Sequence, residues 1–423
     1  MAATSVALFA FAVGMCWLAV NNYVETHGKG DISQEEILTH AKAYLWAALI
    51  GTVVAFFIHS KEVCNTFEKA WSTCLLIYVG IQVRRKVHLL VYGIVVMILT
   101  TDMRWSKSKQ PDSDSIKNSK TNTKRIIFIR HGESLWNEAF NGSKLPHKFL
   151  YRTLAALFGE LLLLPAFDSV LFDSPLNELG FGQAKTLQRS IETYPAARER
   201  SDALDRDIAA LRGTALGPSS VVVSSNLRRA AQTAVVALWP RLKPEEEGKQ
   251  LKGHIKILSQ LQEVSRNVDT LSLTPAKGMV PLPRVDEELS TAVDNTHLFN
   301  VDENHGNKPI FGTGLQRLAA FCAWAHSQQE DVIICAGHSL WFKHFFNTYL
   351  PKSSKHDAKD CKMKNGAAVA FNLQSGTNRE YGLMYRIDPD SITIVEGGFD
   401  NKKKKRQEKA DYKAMSAQLK KRK

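Results

Sequence analysis

IIFIRHGES, Ile126 to Ser134, joins four apolar residues without alternation to a run of polar and charged ones. Such a run suits a strand buried on both faces, as in a parallel sheet covered by helices. Three further segments repeat the pattern. Val221-Val222-Val223 runs into Ser224-Ser225-Asn226-Leu227-Arg228-Arg229, Ile255-Lys256-Ile257-Leu258 leads to Glu263, and Val332-Ile333-Ile334-Cys335 runs into Ala336-Gly337-His338-Ser339. Between them, Leu227, Ala230, Ala231, Ala234, Val235 and Leu238 keep the spacing of a helix face, with Ser225 placed to cap it. Helical patterns also fit residues 182–193, 201–211, 315–328 and 340–349. The spacing predicts an α/β domain over residues 124–399, a three-layer arrangement in which helices flank a mostly parallel sheet.

In an open α/β sheet, ligands bind beyond the carboxyl ends of the strands. His131, His338, Arg130, Arg229 and Glu263 are all delivered to that edge. Singly, each histidine reads equally well as a buried imidazole, and Glu263 as a helix-capping carboxylate. Together they have a chemical meaning. A phosphate monoester carries close to two negative charges, and arginine offers a planar fork of donors matched to its oxygens. A neutral imidazole can attack phosphorus and divide one displacement into two. A carboxyl nearby can protonate the leaving alkoxide and then deprotonate water. With no metal ligands in evident spacing, fixed cations and backbone N–H groups must stabilise the transferring group.

Five pieces, in order, carry a resemblance: Arg130-His131-Gly132-Glu133-Ser134 with Asn137; Asp173-Ser174-Pro175-Leu176-Asn177-Glu178-Leu179-Gly180 with Gln183-Ala184; Ser225 to Ala230 with Thr233-Ala234; Leu261-Gln262-Glu263; and Gly337-His338. They resemble the histidine phosphatase superfamily, in the branch of the cofactor-dependent phosphoglycerate mutases and fructose-bisphosphatases. The resemblance implies a phosphoglycerate-mutase-like fold and a metal-independent, cofactor-free enzyme. It implies that His131 becomes the phosphohistidine, that Arg130, Arg229 and His338 bind the phosphoryl group, and that Glu263 donates the proton. Asn137 falls where the family has a further phosphate contact, and Ser134 assists it. Arg228 falls at a position that is usually solvent-facing and is left out of the site. The mutases follow the proton-donor Glu with Arg-His-Tyr-Gly, whereas Val264-Ser265-Arg266-Asn267 stands here. Hydrolysis of a phosphomonoester is therefore expected rather than a mutase reaction, with Arg266, Asn267 and Asp269 placed to read the leaving group. The expected substrate is a phosphorylated small molecule, a lipid headgroup or a phosphoprotein.

Two rival readings remain beside it. Ala336-Gly337-His338-Ser339-Leu340-Trp341 follows a strand as a nucleophile elbow does in α/β-hydrolases, but Trp341 occupies the second small-residue position. A membrane scaffold with an inactive phosphatase-like domain is the non-enzymatic alternative.

The rest of the chain is organised around this domain. At 423 residues, with 44% hydrophobic and 23% charged residues, wholesale disorder is excluded. The formal charge of +13 is concentrated in residues 103–125 and 402–423, so no specific nucleic-acid-binding surface is expected. Six cysteines show no paired spacing, and no structural metal or disulfide framework is expected. Val6 to Val20 and Ala43 to Ser60 are uncharged apolar stretches that approach the roughly 20 residues of a bilayer span. Ala70 to Val83 and Val87 to Thr101 are shorter and are split by Arg84-Arg85-Lys86. Residues 1–102 are accordingly expected to form a membrane-embedded helical region, multi-pass with two to four crossings. Residues 103–123 read as a basic polar linker and 400–423 as a basic tail. The basic linker favours a cytosolic catalytic domain, and the terminal Lys420-Lys421-Arg422-Lys423 resembles an endoplasmic-reticulum retrieval signal. Between Asn137 and Asp173 lies a long apolar insert that fits a pocket cap, a bilayer contact or an added core helix.

Overall fold

The four apolar runs become neighbouring strands of one mixed sheet. In the computed structural model, which describes residues 66–104, 110–117, 119, 121–141, 146–195, 203–214, 217–244, 251–291, 293 and 295–401, the strands are β1 (Asn122–Arg130), β2 (Ser220–Ser224), β3 (Ile255–Ile257), β4 (Phe299–Asn300), β5 (Val332–Gly337), β6 (Ala368–Asn378), β7 (Gly382–Ile387) and β8 (Thr393–Glu396). Their order is β4-β3-β2-β5-β1-β6-β7, with β8 also paired to β6. The pairs β1–β5, β2–β5, β2–β3 and β3–β4 are parallel. The expectation of a mostly parallel sheet needs one amendment. β6 pairs antiparallel with β1, β7 and β8, so one side of the sheet is an antiparallel addition. In β6 the apolar run is Ala368-Val369-Ala370-Phe371, and the polar residues after it hid the strand's length.

Alternation along β1 sends its side chains to two cores. Ile127 and Ile129 pack with Phe181, Leu187, Ile208, Ala231 and Val235, which come from α4 (Glu178–Thr193), α5 (Ala203–Arg212) and α6 (Arg228–Ala237). Ile126 and Phe128 pack with Phe321, Trp341, Phe342 and Phe345, from α7 (Gly314–Ser327) and α8 (Ser339–Tyr349). The rings of Phe128 and Phe342 stack at 4.1 Å between centroids. A buried aromatic of this kind stabilises the fold by roughly 1.5–3 kcal/mol through burial alone. Thr313 begins α7 with a capping box: its Oγ1 accepts from Gln316 N at 3.3 Å, and Thr313 N donates to Gln316 Oε1 at 2.9 Å. α6 starts three residues later than its expected cap. Leu227 precedes it without a side-chain cap, while Ser225 Oγ accepts from Leu227 N at 3.3 Å and lies 2.9 Å from His338 Nε2.

Three helices precede or interrupt this core: α1 (Thr66–Leu99), α2 (Leu135–Asn141) and α3 (Pro146–Leu162). α1 runs unbroken through Arg84-Arg85-Lys86, where two separate apolar segments were expected. Lys86 does not break it because its ammonium turns inward, 3.2 Å from Glu160 of α3 and 2.5 Å from the Leu163 carbonyl. Among the described residues no helix is long and apolar enough to cross a membrane, so the expected membrane-embedded region finds no support there. The stretches at 6–20 and 43–60 and the tail from 402 lie outside the described residues.

Residues ahead of 124 take part in the core. Ile116 is fully buried and Asp102 is 1% exposed. Asp102 accepts from Lys308 at 2.9 Å, from Arg317 at 2.5 Å and from Ser265 N at 3.2 Å.

Candidate active site

Strand register alone brings the two histidines together. β1 and β5 are parallel with Arg130 opposite Gly337, so the next residues, His131 and His338, leave the sheet side by side. Their ring centroids lie 5.1 Å apart, and both residues are buried. β2 lies on the other side of β5 with Ser224 opposite Ala336, which carries Ser225 and the start of α6 to the same edge.

The His131 ring is fixed by its own backbone. Nδ1 lies 2.5 Å from the Gly132 carbonyl, which can only accept, so the proton sits on Nδ1 and Nε2 keeps its lone pair. Burial, and then Arg229 and Arg130, hold the imidazole well below the ordinary histidine pKa. It is therefore neutral at physiological pH. His338 is likewise held well below the ordinary value, by burial first and then by Arg229, His131, Lys308 and Arg130. Its Nε2 lies 2.9 Å from Ser225 Oγ, while its Nδ1 is buried with no hydrogen-bond partner.

Two guanidinium groups supply positive charge. Arg130 donates to the Met363 carbonyl, and burial pushes its pKa down to about 10 against the pull of Glu263 and Asp400. Arg229, in the first turn of α6, donates to the Asp269 carbonyl at 2.9 Å and pairs with the Asp269 carboxylate at 3.3 Å. The Nε atoms of both arginines are buried without partners. Thr233, one turn on, donates to the Arg229 carbonyl at 2.7 Å and accepts from Gly132 N at 3.1 Å, tying α6 to the loop after β1.

Glu263 faces the N-terminus of α8. Its carboxylate accepts from Trp341 N at 2.8 Å, Leu340 N at 3.3 Å and Val264 N at 3.0 Å. Burial raises its pKa above the ordinary carboxylate value despite Arg229, those backbone donors and Lys308. A carboxyl raised in this way keeps a proton available at higher pH.

The remaining sequence-chosen residues lie differently. Asn137 is half-buried, and its backbone N donates to Ser134 Oγ at 3.3 Å. Ser134 is 1% exposed and bridges Leu176, so it holds the turn. Arg266 is exposed, and no described contact joins it to the cluster. Asp269, read from sequence as a leaving-group contact, is buried against Arg229 instead. Arg228, taken as solvent-facing, is fully buried. It pairs with Asp168 and donates to the Asp173 and Ser169 carbonyls at 2.7 and 2.8 Å, clamping the end of the apolar insert to α6.

Lys308, and the contact of Ser225 with His338, emerge only in three dimensions. Lys308 Nζ donates to the Glu263 carbonyl at 2.7 Å and the Ser265 carbonyl at 2.6 Å, so it hangs the Glu263 loop on Asp102. It sits in the polar loop Glu303-Asn304-His305-Gly306-Asn307-Lys308, where no periodicity marks one residue above another.

Glycine at two positions lets the site close. A Cβ at Gly132 would meet the Gly180 carbonyl oxygen at 2.4 Å, and one at Gly180 would meet the Glu133 carbonyl oxygen at 2.1 Å. Backbone lies against backbone, so neither side can yield cheaply. Gly180→Ala is expected to destabilise by upward of about 2 kcal/mol and to lower activity, because the loop carrying His131 must move. Urea unfolding of the variant beside a turnover assay checks both effects.

No family model and no curated protein sequence matches the chain. Solved structures do. A candidate alpha-ribazole-5′-P phosphatase from Escherichia coli K-12 aligns at 14% identity and a TM-score of 0.28, over 63% of this chain and 96% of that one. A mycobacterial glucosyl-3-phosphoglycerate phosphatase aligns at 15% identity and 0.28, over 63% and 97%. A candidate phosphohistidine phosphatase from Agrobacterium tumefaciens aligns at 12% identity and 0.26, over 59% and 90%. Likenesses at this level leave the assignment to the chain's own residues.

Proposed function

We propose that this chain is a histidine phosphatase that hydrolyses phosphomonoesters through a phosphohistidine on His131. The observation that carries the reading is the ring of His131, neutral, with its proton committed to Gly132 O and Nε2 free beside two buried guanidinium groups. In the first step the Nε2 lone pair attacks phosphorus, the P–O bond to the leaving group breaks, and the Glu263 carboxyl protonates the departing alkoxide. In the second, the Glu263 carboxylate takes a proton from water, whose oxygen attacks phosphorus as the P–N bond breaks. Inorganic phosphate leaves, and both side chains return to their starting states. Arg130 and Arg229 offer unpartnered buried Nε–H groups that phosphoryl oxygens would satisfy, and their fixed positive charge is what the reading relies on in place of a metal; the unpartnered buried Nδ1 of His338 adds a further contact in the tautomer that carries its proton there.

Glu263→Gln removes the proton donor and is expected to lower kcat by about 10²- to 10⁴-fold. The pH profile gives a second check. His131 is held low, so the acid limb is expected below the ordinary histidine range; Glu263 is raised, so the basic limb lies above the ordinary carboxylate range. In Glu263→Gln the basic limb should vanish. A phosphomonoester panel of sugar phosphates, lipid phosphates and phosphopeptides, assayed with the full chain, identifies the substrate class. No hydrolysis of any of them would favour the inactive scaffold.

The reading includes anchorage to a membrane through the N-terminal apolar stretches, with the catalytic domain cytosolic and the endoplasmic reticulum as the site of residence. Its support is the uncharged sequence at 6–20 and 43–60, the basic linker and the terminal lysines.

A further inference from the structure

α1 and α3 carry apolar side chains on the faces they turn away from the core. Along α1 the inward stripe is Gln82, Lys86, Leu89, Gly93 and Val96. Gly93 allows close approach, since a Cβ there would meet Val268 at 2.9 Å. The outward face presents Leu90, Val91, Ile94, Met97 and Ile98, each 47–64% exposed. α3 does the same with Leu150, Leu154, Leu157, Phe158 and Leu161, each 51–61% exposed. A helix on the surface of a water-soluble domain turns its polar side outward. Here the order is reversed. The charges at the crossing point, Lys86 and Glu160, pair with each other and are 5% and 12% exposed, while Arg85 lies over the Phe167 ring at 4.1 Å.

The sequence on either side of α1 points to what covers these faces. Five residues separate the uncharged stretch at 43–60 from the start of α1 at Thr66, and a segment of net charge +3 follows the helix from Met103 to Lys120. Exposed Arg84 lies at the other end of the uncharged run from Val87 to Leu99. Apolar faces bounded by basic residues fit acyl chains bordered by anionic headgroups.

We propose that the outward faces of α1 and α3 together seat the folded domain on a lipid bilayer, lying in its surface without crossing it. The inference is independent of the phosphatase chemistry. It also places the membrane one packed layer from the phosphate clamp: α1 packs on Val268, and the next residue, Asp269, holds Arg229.

The test uses the full chain reconstituted with phosphatidylcholine–phosphatidylserine vesicles. The fluorescent residue dansylalanine replaces Ile94 on α1 or Leu157 on α3, with exposed Tyr381 at the far β6–β7 turn as the control. The expected result is blue-shifted emission at both positions, quenched by doxyl-labelled lipid, with neither change at Tyr381. Water-like emission at 94 and 157 overturns the proposal. So does a blue shift without lipid quenching, which assigns the faces to protein: the chain's own first 65 residues or a second copy. Because the readout is not turnover, loss of the phosphatase reading would leave the result unchanged.

Discussion

His131→Ala is expected to reduce turnover of any phosphomonoester by about ten-thousand-fold or more and to leave the far-ultraviolet circular dichroism of the chain intact. The size of the effect follows from what the imidazole does. In the proposed mechanism it forms the covalent intermediate, and its neighbours are arranged around its neutral state: Nδ1 donates to Gly132 O, while burial with Arg229 and Arg130 disfavours the imidazolium. Neighbouring groups cannot substitute. His338 lies 5.1 Å away but is tied through Nε2 to Ser225. An Arg229→Ala variant is expected to lose less, because the nucleophile survives and only part of the charge stabilisation is removed. Steady-state rates on one substrate, compared across the two variants, check the order.

The second large effect lies outside the catalytic cluster. Asp102→Asn keeps the shape of the side chain and removes the charge that faces Lys308 and Arg317. Breaking a buried ion pair from one side costs about 3–5 kcal/mol, since Lys308 and Arg317 lose the carboxylate that neutralises them and keep backbone carbonyls in direct contact. Activity is expected to fall as well, because Lys308 also holds the Glu263 carbonyl. The pH dependence has a definite sign. Burial pushes Asp102 up, but Lys308 and Arg317 outweigh it, so its folded pKa lies below the ordinary value and its contribution is lost as acidity passes through that lower value. Lys308 is pushed down to about 8 by burial against the pull of Asp102. Removing Asp102 lowers it further, so the penalty of Asp102→Asn should shrink as pH rises toward 8. Urea titrations at pH 6 and pH 8 measure this. A penalty that grows with pH contradicts it. A chain starting at Lys124 lacks Asp102 and Ile116 and is expected to fold poorly for the same reason.

The central strands were legible because β1, β2 and β5 are buried on both faces and leave unbroken apolar runs, and β3 shows the same pattern with Lys256 as its one half-buried interruption. The cluster at their ends was legible because parallel register delivers His131, His338 and Arg229 wherever the runs stop. β6 was not, since its second half, from Asn372, is only partly buried and reads as loop. Buried polar partners left no trace either. Lys308 and Asp102 lie in segments without period, 206 residues apart in the chain. Adjacent arginines look alike in sequence; the fold separates them, with Arg229 beside the histidines and paired to Asp269 and Arg228 gripping Asp168. α1 was misjudged. Its three consecutive basic residues looked like a break between membrane segments, but Lys86 has Glu160 to meet and the helix continues past it.

The most direct measurement is rapid acid-free quenching of the full chain during turnover of a ³²P-labelled phosphomonoester, followed by mapping of the label. The account predicts an acid-labile, base-stable phosphoenzyme on His131, absent in His131→Ala and still formed, more slowly, in Glu263→Gln. Label that survives acid, or that persists when His131 is alanine, would contradict it.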